Sequence, residues 1–387
     1  MKPFPRIAII GAGPGGLMLA RILHTNGIAA TVFELDQDAL IRPQGGSLDL
    51  ERQFGQLALE RAGLLAEFKL LARYEDQGMR IFDKAGNLLF EDNEAASDDR
   101  PEIDRSQLRN LLLASVPSER IHWNNKLREV LPRDNGTYDL IFDRATAGPF
   151  DLVVGADGTW SRIRPLVSSY SPQYTGVTFI ELGIDDVDAR YPGVAYLVGH
   201  GTISILGESQ GLFIQRNANS HVRVYATFRV PKDWAAANFD FSSPASVRAN
   251  LASHFEGWSP ELLGLIHASN DQIRPHRIYA LPVGHHWPNR IGITLLGDAA
   301  HVMSPYGGGG VNHAMFDAAE LARLLVESND WISAINAYEA DMFERVRSHA
   351  VFAAEGVATV FSYEHIKHAV DFQERKRLLR ERNTLPA

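Results

Sequence analysis

The sequence predicts an α/β fold: a Rossmann-like domain, a mostly antiparallel β-sheet domain and a long C-terminal helix. Three observations predict it. An apolar run, Ile7-Ala8-Ile9-Ile10, leads directly into Gly11-Ala12-Gly13-Pro14-Gly15-Gly16, the pattern of a buried parallel strand that turns tightly into a helix. After about residue 173 the strand–helix alternation gives way to short segments of alternating hydrophobicity, the mark of a half-exposed antiparallel sheet. A second buried strand, 291–296, then ends in Gly297-Asp298 and is followed by a run of four glycines, Gly307 to Gly310.

Each element has a local reason. Gly11 permits the turn out of the first strand, Gly13 removes a Cβ where backbone must approach a pyrophosphate, and Gly16 lets the following helix pack close. That helix starts near Pro14, a residue tolerated in a first turn, and Gly27 closes it. Its unpaired N–H groups and positive dipole end suit phosphate. Residues 30–34 read as the second strand, ended by Glu34, 23 residues after Gly11, about where an acid takes ribose hydroxyls. An acid there fits an adenosine ribose without a 2′-phosphate, so the site suits FAD or NAD better than NADP. A helix over 105–115 carries Leu108, Leu111 and Leu112 at helical spacing, and 138–142 and 151–154 read as strands. The segment Gly155-Ala156-Asp157-Gly158-Thr159-Trp160-Ser161-Arg162-Ile163-Arg164 follows; on its residues alone it reads as a surface turn capped by Asp157. Strands are expected at 178–184, 194–198, 202–206, 212–215 and 222–229, helices at about 245–255 and 259–268, and a strand near 272–281. From 331 to 361 the pattern is helical, with Tyr338, Met342, Val346 and Val351 among the apolar positions.

Composition narrows the function. The chain has 387 residues, a net charge of −9 and no cysteine. The acidic balance argues against a nucleic-acid partner. The lack of cysteine excludes disulfides, thiolate metal sites and cysteine nucleophiles, and suits a cytoplasmic protein. No run of 18 apolar residues exists, so no membrane-spanning helix is expected. The neighbours His285-His286 point apart on an extended chain, and His365 and His368 have no third partner, so no metal site is expected. The mixed-charge stretch 374–382 reads as a solvated or docking helix rather than a nucleic-acid arm.

Taken together, the motif at Gly11, the Asp157-Gly158-Thr159-Trp160-Ser161-Arg162-Ile163-Arg164 motif and the run from Leu296-Gly297-Asp298-Ala299-Ala300-His301 into Pro305-Tyr306-Gly307-Gly308-Gly309-Gly310-Val311-Asn312 resemble the group A FAD-dependent aromatic hydroxylases. The resemblance implies a discontinuous FAD-binding domain, 1–172 and 282–330, with a substrate domain, 173–281, inserted in it and a C-terminal helical region, 331–387. It implies FAD as cofactor and NADPH or NADH as cosubstrate, bound transiently; no second Gly-x-Gly-x-x-Gly follows a strand. Asp157 and Asp298 would contact FAD or the nicotinamide nucleotide. The loop at Pro305, Gly308 and Gly310 would take the flavin ring, and the helix opening at Val311 and Asn312 would point its N-terminus at the ring's N1 and O2. His313 stands where the family has a small residue.

A narrower resemblance runs through Arg42, Gly45-Gly46-Ser47-Leu48-Asp49-Leu50, Glu102 to Arg109, Thr175-Gly176, Tyr191-Pro192-Gly193 and Pro231-Lys232-Asp233-Trp234. These resemble the tetracycline destructases of the TetX type, which implies that Arg42, Asp49, Arg105 and Asp298 contact FAD or NADPH. At the matching substrate positions stand Glu181, Phe213, Arg223 and Tyr306. Glu181 and Arg223 either pair with each other or hold a substrate carrying both an acidic and a basic group. The resemblance implies an NAD(P)H- and O2-dependent monooxygenase acting through a flavin C4a-hydroperoxide on an aromatic or polycyclic phenolic or enolic small molecule, a tetracycline among the candidates. No catalytic side chain is assigned, since the cofactor carries the chemistry, and a monomer is expected. The rival readings are a hydroxylase of another aromatic metabolite, a reductase or oxidase on the same fold, and a flavin- or drug-binding protein without turnover.

Overall fold

The computed structural model describes residues 4–39, 45–92, 99–361 and 365–384. The chain forms two compact units, each assembled from separate stretches: 1–72, 103–173 and 279–353 in the first, and 73–102, 174–278 and 354–387 in the second.

The first unit is built on a five-stranded parallel sheet. Ile7–Ile10 lies at its centre, paired with Leu152–Gly155 on one side and Ala30–Phe33 on the other. Ile293–Leu295 and Ile121–His122 complete the edges. Ile7–Ile10 and Leu152–Gly155 are buried at every residue, as strands covered on both faces must be. Helix Pro14–Thr25 follows the first strand and packs on helix Gly310–Glu327. Leu127–Pro132, Tyr138–Phe142 and Thr146–Phe150 form a separate antiparallel sheet.

The first part of the 30-residue helix Trp331–Val360 belongs to the same core, through Ala334, Ile335, Tyr338, Met342 and Val346. Its polar groups are matched individually. The Tyr338 hydroxyl donates to Leu295 O at 2.9 Å. Buried Glu339 accepts from Trp287 Nε1 at 3.0 Å, Thr294 Oγ1 at 2.8 Å and Asn289 Nδ2 at 3.2 Å. Burial pushes the Glu339 carboxyl up, and these three donors oppose that rise without cancelling it.

The second unit holds a seven-stranded sheet in the order Arg274–Ala280, Gln173–Ile184, Val222–Arg229, Gln210–Arg216, Thr202–Gly207, Met79–Asp83, Leu88–Asp92. The pairings from Gln173–Ile184 to Thr202–Gly207 are antiparallel. Alternate residues, Ile180, Leu182, Ile214, Val224 and Ala226 among them, form one core with Val247, Leu251, Leu262 and Leu265 of helices Pro244–His254 and Pro260–His267.

Three local expectations differ from the structure. The run at 194–198 is not a strand but part of helix Pro192–Val198. Its proline sits in the first turn, and Val194, Leu197 and Val198, spaced three and four apart, pack on the core; a short apolar run does not by itself distinguish strand from helix. Residues 73–102 fall in the second unit, because Met79–Asp83 pairs parallel with Thr202–Gly207. Residues 331–353 fall in the first. Both placements rest on long-range packing. Among the described residues no helix is long and apolar enough to cross a membrane.

Glu339→Ala strands the buried Trp287 indole N–H and Thr294 hydroxyl. It is expected to lower unfolding free energy by about 2–4 kcal/mol, read as a lower urea midpoint at unchanged m-value. A loss below about 0.5 kcal/mol would mean that the three-donor site contributes nothing to docking the helix.

Candidate active site

The first glycine turn closes only without side chains. Gly11 has φ +111°, and a Cβ there would lie 2.3 Å from Ala156 O. A Cβ on Gly16 would lie 2.0 Å from Gly11 O. Gly13 is different: its backbone is extended and a Cβ would meet nothing within 4 Å. Open space therefore adjoins the N-terminus of helix Pro14–Thr25, where first-turn N–H groups lack helical partners. Glu34 is buried; its Oε2 accepts from Ala12 N at 2.6 Å and its Oε1 from Asp36 N at 2.9 Å. The carboxylate thus pins the turn to the second strand.

The second motif is a turn held by its own side chains. Asp157 Oδ2 accepts from Arg162 N at 2.7 Å, and Ser161 Oγ accepts from Ile163 N at 3.1 Å and Arg164 N at 2.9 Å. Burial raises the Asp157 carboxyl against these hydrogen bonds. Buried Arg164 donates to Ala299 O at 3.3 Å and to Thr159 O, which ties this turn to the third motif. Asp157 and Arg164 serve the backbone here. Asp298, by contrast, is exposed just beyond the carboxyl end of Ile293–Leu295.

In the third motif, Pro305 opens a short turn that Ser304 fastens to Ala353 O at 3.0 Å. Gly308 sits at φ +76°, and Gly310 starts the long helix with open space where a Cβ would be. Val311 is half-buried. Asn312 is fully buried and faces the chain: Oδ1 accepts from Glu51 N at 2.9 Å and Gly55 N at 3.2 Å, and Nδ2 donates to Asp49 O at 2.9 Å. It fixes the segment carrying Asp49 and the π-turn Arg52–Gln56. Arg105 is half-buried at the start of helix Arg105–Ala114, its N–H donating to Gly46 O at 3.2 Å. Arg42 lies outside the described residues.

Beneath this motif is a cluster that sequence reasoning did not single out. Asp317, fully buried, accepts from Gly297 N at 2.9 Å, faces His301 Nε2 at 2.6 Å, and accepts from Arg345 Nη2 at 2.9 Å. Burial alone would raise this carboxyl; His301, Arg345 and the Gly297 N–H outweigh burial and hold it well below the usual carboxylate range. The available signal was a charge on an apolar helix face, four residues after His313 and four before buried Leu321. His313 packs its ring 4.0 Å from His349 and 4.9 Å from Phe54, under Gly309. Neither ring nitrogen has a hydrogen-bond partner among the described residues. Burial first, then His349 and His301, push it down to about 2, so the ring stays neutral.

In the second unit, Glu181, Tyr225 and Phe213 stand in register across three strands on the face opposite the aliphatic core. Tyr225 lies 5.7 Å from Phe179 and 6.3 Å from Phe213, ring centre to ring centre. Arg223 donates to Glu181, and His276 Nε2 lies 2.6 Å from its other oxygen. Of the two readings of Glu181 and Arg223, the structure has the ion pair; His276 and Tyr225 are additions. Tyr306 belongs to the first unit and is half-buried. His285 is engaged with Ser168 Oγ at 2.8 Å and Ala300 O at 2.7 Å, and His286 with Gly284 O at 2.9 Å. The side chain of His365 lies outside the described residues.

Two outcomes are expected. Gly13→Ala leaves stability within about 0.5 kcal/mol but lowers retained flavin, whereas Gly16→Ala lowers the melting temperature whether or not flavin is present; equal thermal effects would contradict the geometry. For His313, the folded value lies below the unfolded one of 6.5. Between those values the unfolded chain binds a proton that the folded chain does not, so stability is present above pH 6.5 and is lost as pH falls below it. His313→Leu should flatten urea-derived stability between about pH 6 and 4 by up to about 1.4 kcal/mol per pH unit. An unchanged slope would mean that His313 is not held neutral.

The family model described as "FAD binding domain" matches residues 6–255 and 265–345. The chain is 33% identical over 367 residues to the monooxygenase penA of Penicillium thymicola, covering 83% of this chain and 84% of that one. Two solved structures share the fold. HpxO of Klebsiella pneumoniae, complexed with FAD and uric acid, has a TM-score of 0.81 at 22% identity over 97% of this chain and 95% of that one. The tetracycline destructase Tet(55) has a TM-score of 0.73 at 23% identity over 98% and 96%. The glycine turn open at Gly13, the helix opening at Gly310 and the family match place the chain in the FAD-binding domain family, as an FAD-dependent monooxygenase that uses NAD(P)H.

Proposed function

We propose that the enzyme inserts one atom of O2 into an aromatic or polycyclic phenolic or enolic small molecule, with tetracyclines among its substrates. The observation that carries this reading is the half-buried row of Phe213, Tyr225 and Glu181 across three paired strands, with Phe179 and Arg223 beside it. Such a row offers a planar ring system aromatic contacts on one side and a charged cluster at one end. The uric acid complexed with HpxO and the tetracycline for which the destructase Tet(55) is named are both acceptor-rich ring systems.

FAD, when bound, supplies the acceptance of hydride from NAD(P)H and the activation of O2. The chain's own residues do the rest. Gly13 leaves room for the pyrophosphate against the N-terminus of helix Pro14–Thr25, and Glu34 holds that turn on the side where the adenosine ribose would lie. Asp49, Arg105 and Asp298 belong to the cofactor side, with Asn312 keeping the Asp49 segment in place. The first-turn N–H groups of helix Gly310–Glu327 would stabilise negative charge on a bound, reduced flavin by about 1 kcal/mol or more. Arg223 and His276 occupy Glu181, so the cluster presents the Arg223 cation rather than a free carboxylate and suits an enolate or phenolate better than an amine. The working unit in this reading is a monomer.

The purified protein is expected to be yellow and to release FAD, not FMN. Tetracycline, phenolic acids and uric acid should be screened for stimulated NADPH oxidation, coupled O2 uptake and a product heavier by one oxygen atom. No product from tetracycline, with a product from a smaller ring, would remove the tetracycline assignment and leave a hydroxylase of another aromatic metabolite. Silence from all would remove the reading. For an anionic substrate, Arg223→Ala should raise KM by about tenfold or more at unchanged FAD content, because the substrate then meets a carboxylate that has lost its arginine.

A further inference from the structure

Glu181 is the centre of a three-residue cluster whose parts come from three adjacent strands. Gln173–Ile184 carries the carboxylate, Val222–Arg229 carries Arg223 on one side, and the edge strand Arg274–Ala280 carries His276 on the other. One carboxylate oxygen takes Arg223 Nη1 and the other lies 2.6 Å from His276 Nε2. The charged groups around the imidazole are Glu181, Arg223 one strand further, and Arg274 two residues earlier on its own strand. Burial would raise the Glu181 carboxyl, but His276, Arg223 and Arg274 outweigh it and hold it below the ordinary range. Ionised Glu181 can only accept, so a contact of 2.6 Å between its oxygen and Nε2 requires a proton on that nitrogen. That fixes the tautomer of the neutral ring, with the lone pair on Nδ1. The His276 side chain is 45% exposed, and Nδ1 has no hydrogen-bond partner among the described residues.

We propose that His276 is the base that ionises the substrate's ring hydroxyl, oriented by Glu181 and Arg223; this rests on the reading that the ring lies on this sheet face. The O–H bond breaks, its proton forms an N–H bond at His276 Nδ1, and the electron pair stays on oxygen. The resulting imidazolium is stabilised through Nε2–H by the Glu181 carboxylate, the arrangement by which a carboxylate orients a histidine base. Arg223 occupies the second carboxylate oxygen, so Glu181 keeps its charge and its orientation, and its guanidinium favours the anion that forms. A phenolate or enolate is richer in electrons at its ring carbons than its conjugate acid, which is what transfer of an electrophilic oxygen requires. The substrate class is thereby narrowed to rings with a free ionisable hydroxyl. O-alkylated analogues can lie on the same face but offer Nδ1 no proton, so they are not ionised and their rings are not activated.

The test uses the FAD-loaded, oxidised enzyme and two probes, 4-nitrophenol and 4-nitroanisole, followed by difference spectroscopy across pH. The wild type should bind 4-nitrophenol as the coloured phenolate at pH values where the free phenol is mostly neutral. His276→Gln should lower the bound phenolate fraction at least tenfold and shift its pH profile towards that of the free phenol, with FAD content unchanged. Glu181→Gln should act in the same direction. Binding of 4-nitroanisole should not depend on His276. An unchanged phenolate fraction in His276→Gln overturns the proposal while leaving the substrate face intact, provided that Phe213→Ala weakens binding of both probes. If Phe213→Ala and Tyr225→Ala leave binding of both probes unchanged, or if 4-nitrophenol does not bind the wild type, the substrate-face reading falls and the proposal with it.

Discussion

The buried carboxylate of Asp317 is the interaction on which the cofactor side depends. It joins two parts of the chain distant in sequence: the Gly297 turn at the end of Ile293–Leu295 with His301, the last residue of the short helix Asp298–His301 that follows, and Arg345 on helix Trp331–Val360. A buried charge is tolerated only when paired and hydrogen-bonded, and removing one partner typically costs about 3–5 kcal/mol because the other charge is left uncompensated. The requirement works as a geometric constraint. Asp298 is presented at the surface because the residue before it donates its N–H inward to Asp317, and the long helix is docked because Arg345 must reach the same carboxylate.

A second layer of positioning converges on the same helix. Asn312, five residues before Asp317, spends both ends of its amide on the backbone of residues 49–55. Glu34 and Arg164 act similarly on the first and second glycine motifs, with a carboxylate on Ala12 N and a guanidinium on Ala299 O. Several polar residues read as ligand contacts are thus backbone clamps. Rigid placement of N–H groups is what a cofactor site needs, since preorganised donors need no rearrangement when negative charge develops. His313 is the departure: a buried ring beneath the glycine loop whose two nitrogens have no hydrogen-bond partner among the described residues.

In the second unit, a period-two pattern separates two roles along the same strands. Ile180, Leu182, Val224 and Ala226 enter the core, while Phe179, Glu181, Arg223 and Tyr225 form the opposite, half-buried face. One face stabilises the sheet and the other carries the polar cluster. This lets the polar cluster vary without unfolding the unit.

What the sequence by itself determined was local. The Gly11 turn, helix Pro14–Thr25, the strand pattern from 173 onward and helix Gly310–Glu327 were legible because backbone sterics and hydrophobic period act over a few residues. FAD followed from the order of the three motifs, and Glu181 with Arg223 from the resemblance to the tetracycline destructases. The tertiary structure decided everything that depends on residues far apart meeting. Strand Met79–Asp83 joins the second unit because its partner lies more than a hundred residues later. Helix Pro192–Val198 forms where an apolar run was ambiguous, because its face at three- and four-residue spacing had a core to pack on. Asp317 meets Arg345, and His276 meets Glu181, only after folding. No local pattern encodes such meetings, because the energy that fixes them, burial of paired charge and apolar surface, exists only in the assembled chain.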